Sequence, residues 1–174
     1  RDTDRSRGLG DVYKRQEAHK KYWTERDIVS MIQAVWDYFS TCPLLENQRI
    51  LGVDRLGVDP IEYTIDILPS EQIVKRYVDG SSIRQIELTF SSREPYGRDV
   101  IQNIQNSEFY EKFADWVEQN DDAGIYPDFG KWKTVRSIQV ISSGYAVEVT
   151  EKTSRYQIQL RITYLQSWRY FKNG

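Results

Sequence analysis

Tyr156–Tyr164, YQIQLRITY, alternates Tyr156, Ile158, Leu160, Ile162 and Tyr164 with Gln157, Gln159, Arg161 and Thr163. Successive side chains of a strand point to opposite faces, so this stretch carries one apolar face and one polar face. Ile61, Tyr63, Ile65 and Ile67 alternate in the same way with Glu62, Thr64 and Asp66 until Pro69 stops the run. The sheet these strands build is therefore buried on one side and wet on the other.

Outward from these two runs the same period recurs. Glu71–Val78 and Ser82–Ser91 form two strands joined at Asp79-Gly80-Ser81, a turn sequence, and the second sets Arg84, Ile86, Leu88 and Phe90 opposite Gln85, Glu87 and Thr89. Thr134–Ser142 and Tyr145–Thr150 form a second expected hairpin, about Ser143-Gly144. Helical spacing appears twice. From Thr24, with Asp27 three residues on as an approximate capping box, Ile28, Met31, Ile32, Val35, Trp36 and Phe39 define about four turns that end near Thr41, before Pro43. Past Tyr96, Val100 and Ile104 and then Phe109, Phe113, Trp116 and Val117 define a second helical region, its register shifting at Asn106-Ser107 as at a kink or between two short helices. The tandem Leu51-Gly52-Val53-Asp54-Arg55 and Leu56-Gly57-Val58-Asp59-Pro60 is too short in period for a solenoid and is expected to make two consecutive turns.

The order is helix, three strands, helix, three strands, without the strand-helix alternation of a parallel sheet. It predicts an α+β domain: a mainly antiparallel sheet of about six strands with two main helices packed on one face. Three parts are expected along the chain: a disordered or non-native leader over 1–21, one domain over 22–167, and a tail over 168–174. The leader holds seven basic and four acidic residues. It suits a disordered segment, with a basic arm for nucleic acid as the other reading. Arg1–Gln16, RDTDRSRGLGDVYKRQ, resembles translated sequencing-adapter read-through.

The whole chain has 174 residues, with 24 Lys or Arg against 26 Asp or Glu for a net charge of -2. Residues 22–167 alone hold 15 basic and 22 acidic residues, net -7, a body that repels phosphate rather than gripping it. Hydrophobic residues make up 39% and aromatics 13%, enough for a core without staples. No run approaches the roughly 18 apolar residues of a membrane helix. One cysteine, Cys42, allows no internal disulfide and no cysteine zinc cluster, and the cytosol is the expected compartment.

Candidate chemistry is sparse. The single histidine, His19, falls in the leader, where it has no scaffold for acid-base work, and no phosphate-binding glycine loop, zinc signature or nucleophile elbow occurs. Asp54 and Asp59 lack the further oxygen ligands of a calcium site. Asp54, Asp59, Asp121 and Asp122 are the only acids that suggest a carboxylate enzyme, and loop acids are usually solvated. The expectation is no enzyme, no cofactor, no metal, and no catalytic residue. Asn120–Lys131, NDDAGIYPDFGK, is expected to be a long loop whose aromatics either fold onto the core or meet a partner. Tyr126, Phe129 and Trp132, with Asp121 and Asp122 nearer its opening, are the candidate interface residues.

The element order, with TERDIVSMIQAVWDYF, YTIDILPSEQIVKRYVDGSS, SREPYGRDVIQNIQNSEFYEKFADWVEQ and YQIQLRITYLQ, resembles a minor capsid or tail-terminator-like protein of prophages in Gram-positive bacteria. The resemblance spans about Thr24–Gln166. It implies a small α+β virion protein that forms a ring of about six subunits at the tail end, caps the tail tube and joins it to the head. The implied partners are its own copies, a tail-tube protein and a head-completion protein, with DNA passing through unbound and no membrane. The implied locations are the virion neck and, during assembly, the host cytoplasm. A soluble interaction module unrelated to phage shares every physical feature above.

Overall fold

The computed structural model describes residues 30–45, 50–53, 62–95, 100–150 and 153–167. The leader with His19, the pair Asp54 and Asp59, and the tail lie outside them. Chain order is α1 (Met31–Phe39), a single 3-10 turn (Pro43–Leu45), β1 (Ile50–Val53), β2 (Glu62–Leu68), β3 (Ile73–Arg76), β4 (Ser82–Pro95), α2 (Val100–Ala123), β5 (Lys133–Val140), β6 (Tyr145–Val149) and β7 (Thr153–Gln166).

The alternating runs become the frame. β4 and β7 are each 14 residues long and pair antiparallel over their whole length, from Ser82 opposite Gln166 to Pro95 opposite Thr153. On the outer side of β4, β2 pairs along Glu87–Arg93 and β3 along Ser82–Arg84. On the outer side of β7, β5 pairs along Leu160–Gln166 and β6 along Ser154–Gln157. The result is one seven-stranded, mainly antiparallel sheet. Among the described residues its one parallel pair is β1 with β2, Leu51 opposite Tyr63. The expected α+β architecture is thus present, with one strand more than the sequence pattern predicts, because the first copy of the tandem repeat extends into β1 instead of turning.

α1 and α2 cover the same face. Phe39 of α1 and Phe113 of α2 meet Phe90 of β4 at ring-centroid distances of 6.2 and 4.3 Å, and Tyr63 of β2 stacks on Phe90 at 5.2 Å. These side chains are fully buried, together with Ile65, Leu88, Ile158, Leu160 and Ile162. Burying one such side chain contributes roughly 1.5–3 kcal/mol, and here the burial ties four elements to one aromatic column.

Three expected elements are corrected. The helix that carries Val35 and Phe39 starts at Met31: Ser30 is extended at φ -61° and ψ 123°, and its carbonyl accepts the first helical bond from Ala34 N, so Ser30 stands as the N-cap, while Thr24, Asp27 and Ile28 lie outside the described residues. At the other end the Ser40 and Thr41 hydroxyls donate back to the Trp36 and Tyr38 carbonyls. The second helix is unbroken through Asn106-Ser107. Asn106 occupies the buried stripe with Tyr110, Phe113 and Val117, whereas Ile104 is exposed, so a buried polar and an exposed apolar residue imitate a shift of register. Finally, β5 and β6 do not form a hairpin. They lie end to end along β7, both antiparallel to it, and Ile141–Gly144 bulge out between them. Ile141 N donates to the Gln159 carbonyl and Gln159 N to Ser142 Oγ, which keeps the ladder joined across the bulge.

The bulge lets α2 approach. A Cβ at Gly144 would overlap the Tyr110 side chain, 2.7 Å from its Cγ. The Tyr110 ring cannot retreat, since its hydroxyl is held 2.8 Å from Ser92 Oγ and 3.1 Å from the Tyr156 carbonyl oxygen. Gly144→Ala is therefore expected to destabilise by about 1–3 kcal/mol through overpacking, read as a shift in the urea midpoint with an unchanged slope.

Candidate functional site

The α2–β5 connection is shorter and tighter than the sequence suggests. α2 continues to Ala123, so Asn120, Asp121 and Asp122 are helical. Gly124 closes the helix at φ 70°, its N–H bonding the Asp121 carbonyl while Ile125 N bonds that of Asn120. Asp121 Oδ1 accepts from Ile138 N at 2.8 Å, which fastens the helix end to β5. The Tyr126 hydroxyl sits between the carbonyl oxygens of Asp121 (3.2 Å) and Arg136 (3.1 Å), the latter at a bulge in β5. Asp128 Oδ1 accepts from Gly130 N, and Gly130 takes φ 86° to turn the chain into β5.

These bonds decide what the five candidate interface residues do. Phe129 is 2% exposed and packs edge-on against Tyr164 of β7 at 5.4 Å, so it belongs to the core. Asp121 and Tyr126 fasten the helix end to β5, and Trp132 is half-buried with Lys131 Nζ 5.3 Å from its ring centre. Asp122 and, beyond the original five, Ile125 face solvent. Truncating Tyr126 and Phe129 together thus unseats a core ring and cannot separate assembly from folding.

The sheet face opposite α1 and α2 is the second candidate. Glu87 and Arg161, directly opposite in register, pair through both Nε (3.1 Å) and Nη2 (2.8 Å) on one carboxylate oxygen. Arg155 reaches across Ser91 to Asp66 at 3.3 Å, and Arg93 approaches Glu148 at 3.7 Å. Thr64, Thr89 and Ser91 on this face are nonetheless buried, and Arg155 Nη2 donates to Ser91 Oγ at 3.4 Å, its stem and head lying over that small side chain. With these carboxylates and guanidiniums matched, the face presents a polar surface with little net field, unlike a phosphate-binding groove.

The one thiol of the chain is not exposed to either surface. Cys42 is buried, and burial pushes its thiol up from 9.0 to about 11, away from thiolate reactivity. The described residues contain no group of three or more His, Cys, Asp or Glu placed to hold a metal ion, and no helix long and apolar enough to cross a membrane. Comparison of the chain with protein-family models and with curated proteins finds no match.

What sequence periodicity missed is the exposure of two edge strands. All five residues of β6 are exposed, Tyr145, Val147 and Val149 among them, and so are Val74, Lys75 and Arg76 of β3 with Tyr77 and Val78 beyond it. The available signal was composition alone. Tyr145–Val149 lacks the lysine or proline that usually guards an edge.

Proposed function

We propose that the chain is a structural subunit of the phage head-tail junction, a ring-forming tail terminator that caps the tail tube and joins it to the head. The observation that carries this reading is the sequence resemblance over about Thr24–Gln166. The fold is compatible with it: an α+β subunit whose sheet has open edges on both sides offers two different surfaces, the minimum for a closed ring. The acidic body supports a channel that lets DNA pass without holding it. In this reading the partners are further copies of the chain, about six to a ring, with the tail-tube and head-completion proteins at its two ends. The subunit works in the virion neck after assembly in the host cytoplasm, and no catalysis is assigned to it.

The test is to mix the purified protein with the tail-tube protein encoded beside it and to examine the product by sedimentation and negative-stain microscopy. Rings seated on tube ends, and tubes of limited length, are expected. A protein that never associates with tube protein, while its gene lies apart from portal, capsid and tube genes, overturns the reading in favour of an unrelated interaction module.

A further inference from the structure

The corners occupied by β3 and β6 are diagonal to one another. β3 lies outside β4 at Ser82–Arg84, and β6 lies outside β7 at Ser154–Gln157, which faces Ser91–Glu94 of β4. They are thus on opposite edges of the sheet and about 30 Å apart along the strands. Among the described residues each strand pairs on one side only, and each contains a single bulge, so the ladder either can offer is short and its side chains choose the partner.

Those side chains are complementary. The β3 corner presents Val74 (57% exposed), Tyr77 (42%) and the fully exposed Val78 beside two cations, Lys75 and Arg76. The β6 corner presents Tyr145 (41%), Val147 (49%) and Val149 (53%) around one anion, Glu148, whose side chain is 56% exposed despite its distant contact with Arg93. A two-fold contact of β6 with itself brings two carboxylates together, and one of β3 with itself brings four cations together. Only β6 against β3 joins opposite charges. Direction agrees: β6 runs with β4 and β3 runs against it, so a copy displaced sideways presents β3 antiparallel to β6.

We infer that β6 of one copy adds beside β3 of the next, Glu148 facing Lys75 and Arg76 while the valines and tyrosines close over one another, and that this head-to-tail contact builds the ring. The inference deepens the ring assignment and rests on it for closure, since a heterologous contact that does not close makes a filament instead.

Charge exchange tests it. Glu148→Lys alone, and Lys75→Glu with Arg76→Glu, are each expected to melt like the parent, all three positions being exposed, and to lose self-association by about 100-fold or more in sedimentation. An equimolar mixture of the two is expected to assemble again, because each mutant corner then meets its opposite on the other protein. Assembly of either folded variant alone, failure of the mixture, or a wild type that stays monomeric overturns the contact. Tube ends capped by the Glu148→Lys protein retire the contact and leave the terminator reading standing. A wild-type oligomer, rescued by mixing but indifferent to tube protein, does the reverse.

Discussion

Phe113→Ala is expected to lower stability by about 3–5 kcal/mol, measured as the loss of unfolding free energy in urea. The ring is fully buried and stacks on Phe90 at 4.3 Å and on Phe39 at 5.7 Å, so its removal opens a cavity where α1, α2 and the sheet meet. Neither helix can close that gap by itself. Phe39 is already locked against Tyr38 and Phe90, and Phe109 against Tyr63. Trp116, on the adjoining stripe of α2, is only half-buried, and Trp116→Ala is expected to cost less, about 1–3 kcal/mol. An equal loss for the two would mean that the column is not the seat of stability.

The second large effect is a loss of stability in alkali. Burial raises the Tyr38 hydroxyl from 10.0 to about 12, the Cys42 thiol from 9.0 to about 11, and the Tyr110 hydroxyl upward as well. Each group binds its proton more tightly in the folded chain than in the unfolded one. The stability this contributes is complete below about pH 9, where the unfolded thiol and hydroxyls also keep their protons, and falls as pH rises through 9 and on to about 12. Denaturant midpoints are expected to hold steady from neutral pH to about pH 9 and then to drop steeply. Tyr110→Phe, which keeps the ring and removes the ionisable hydroxyl, is expected to be less stable at neutral pH, having lost the bonds to Ser92 and the Tyr156 carbonyl, yet to show a shallower alkaline limb. A limb as steep as the parent's would place the titrating groups elsewhere.

The candidate interface shows where local pattern misleads. Asn120–Lys131 has the acidic, glycine- and aromatic-bearing composition of a working loop, but composition does not report where a ring points. Phe129 turns inward because Tyr164 on β7 leaves a place for its edge, and Asp121 bonds Ile138 N because α2 ends beside β5. Both facts depend on residues far along the chain. Conversely, Tyr145–Val149 has the apolar content of a buried strand and is exposed throughout, since pairing with β7 fills its backbone ladder without covering its side chains.

Where a side chain's fate follows from its immediate neighbours, the sequence alone determined the outcome. The period of two in Tyr156–Tyr164 settles strand state and buried face together, since the pleat allows no other assignment once one face is apolar; in the run ending at Ile67 it settles strand state, while Ile67 itself is exposed and Thr64 buried. Asp79-Gly80-Ser81 settles its turn through the Asp79 carboxylate, which accepts from Ser81 N and Oγ, and through Gly80 at φ 84°. Pairing is different. That β5 and β6 share β7 instead of folding on each other, that β1 joins β2 in parallel, and that α2 carries a buried Asn106 without breaking were decided only in the tertiary structure. A strand's ladder can be completed by any neighbour of suitable length. The choice among neighbours is made by the helices that must cover the face, whose fit depends on side chains brought together from distant parts of the chain.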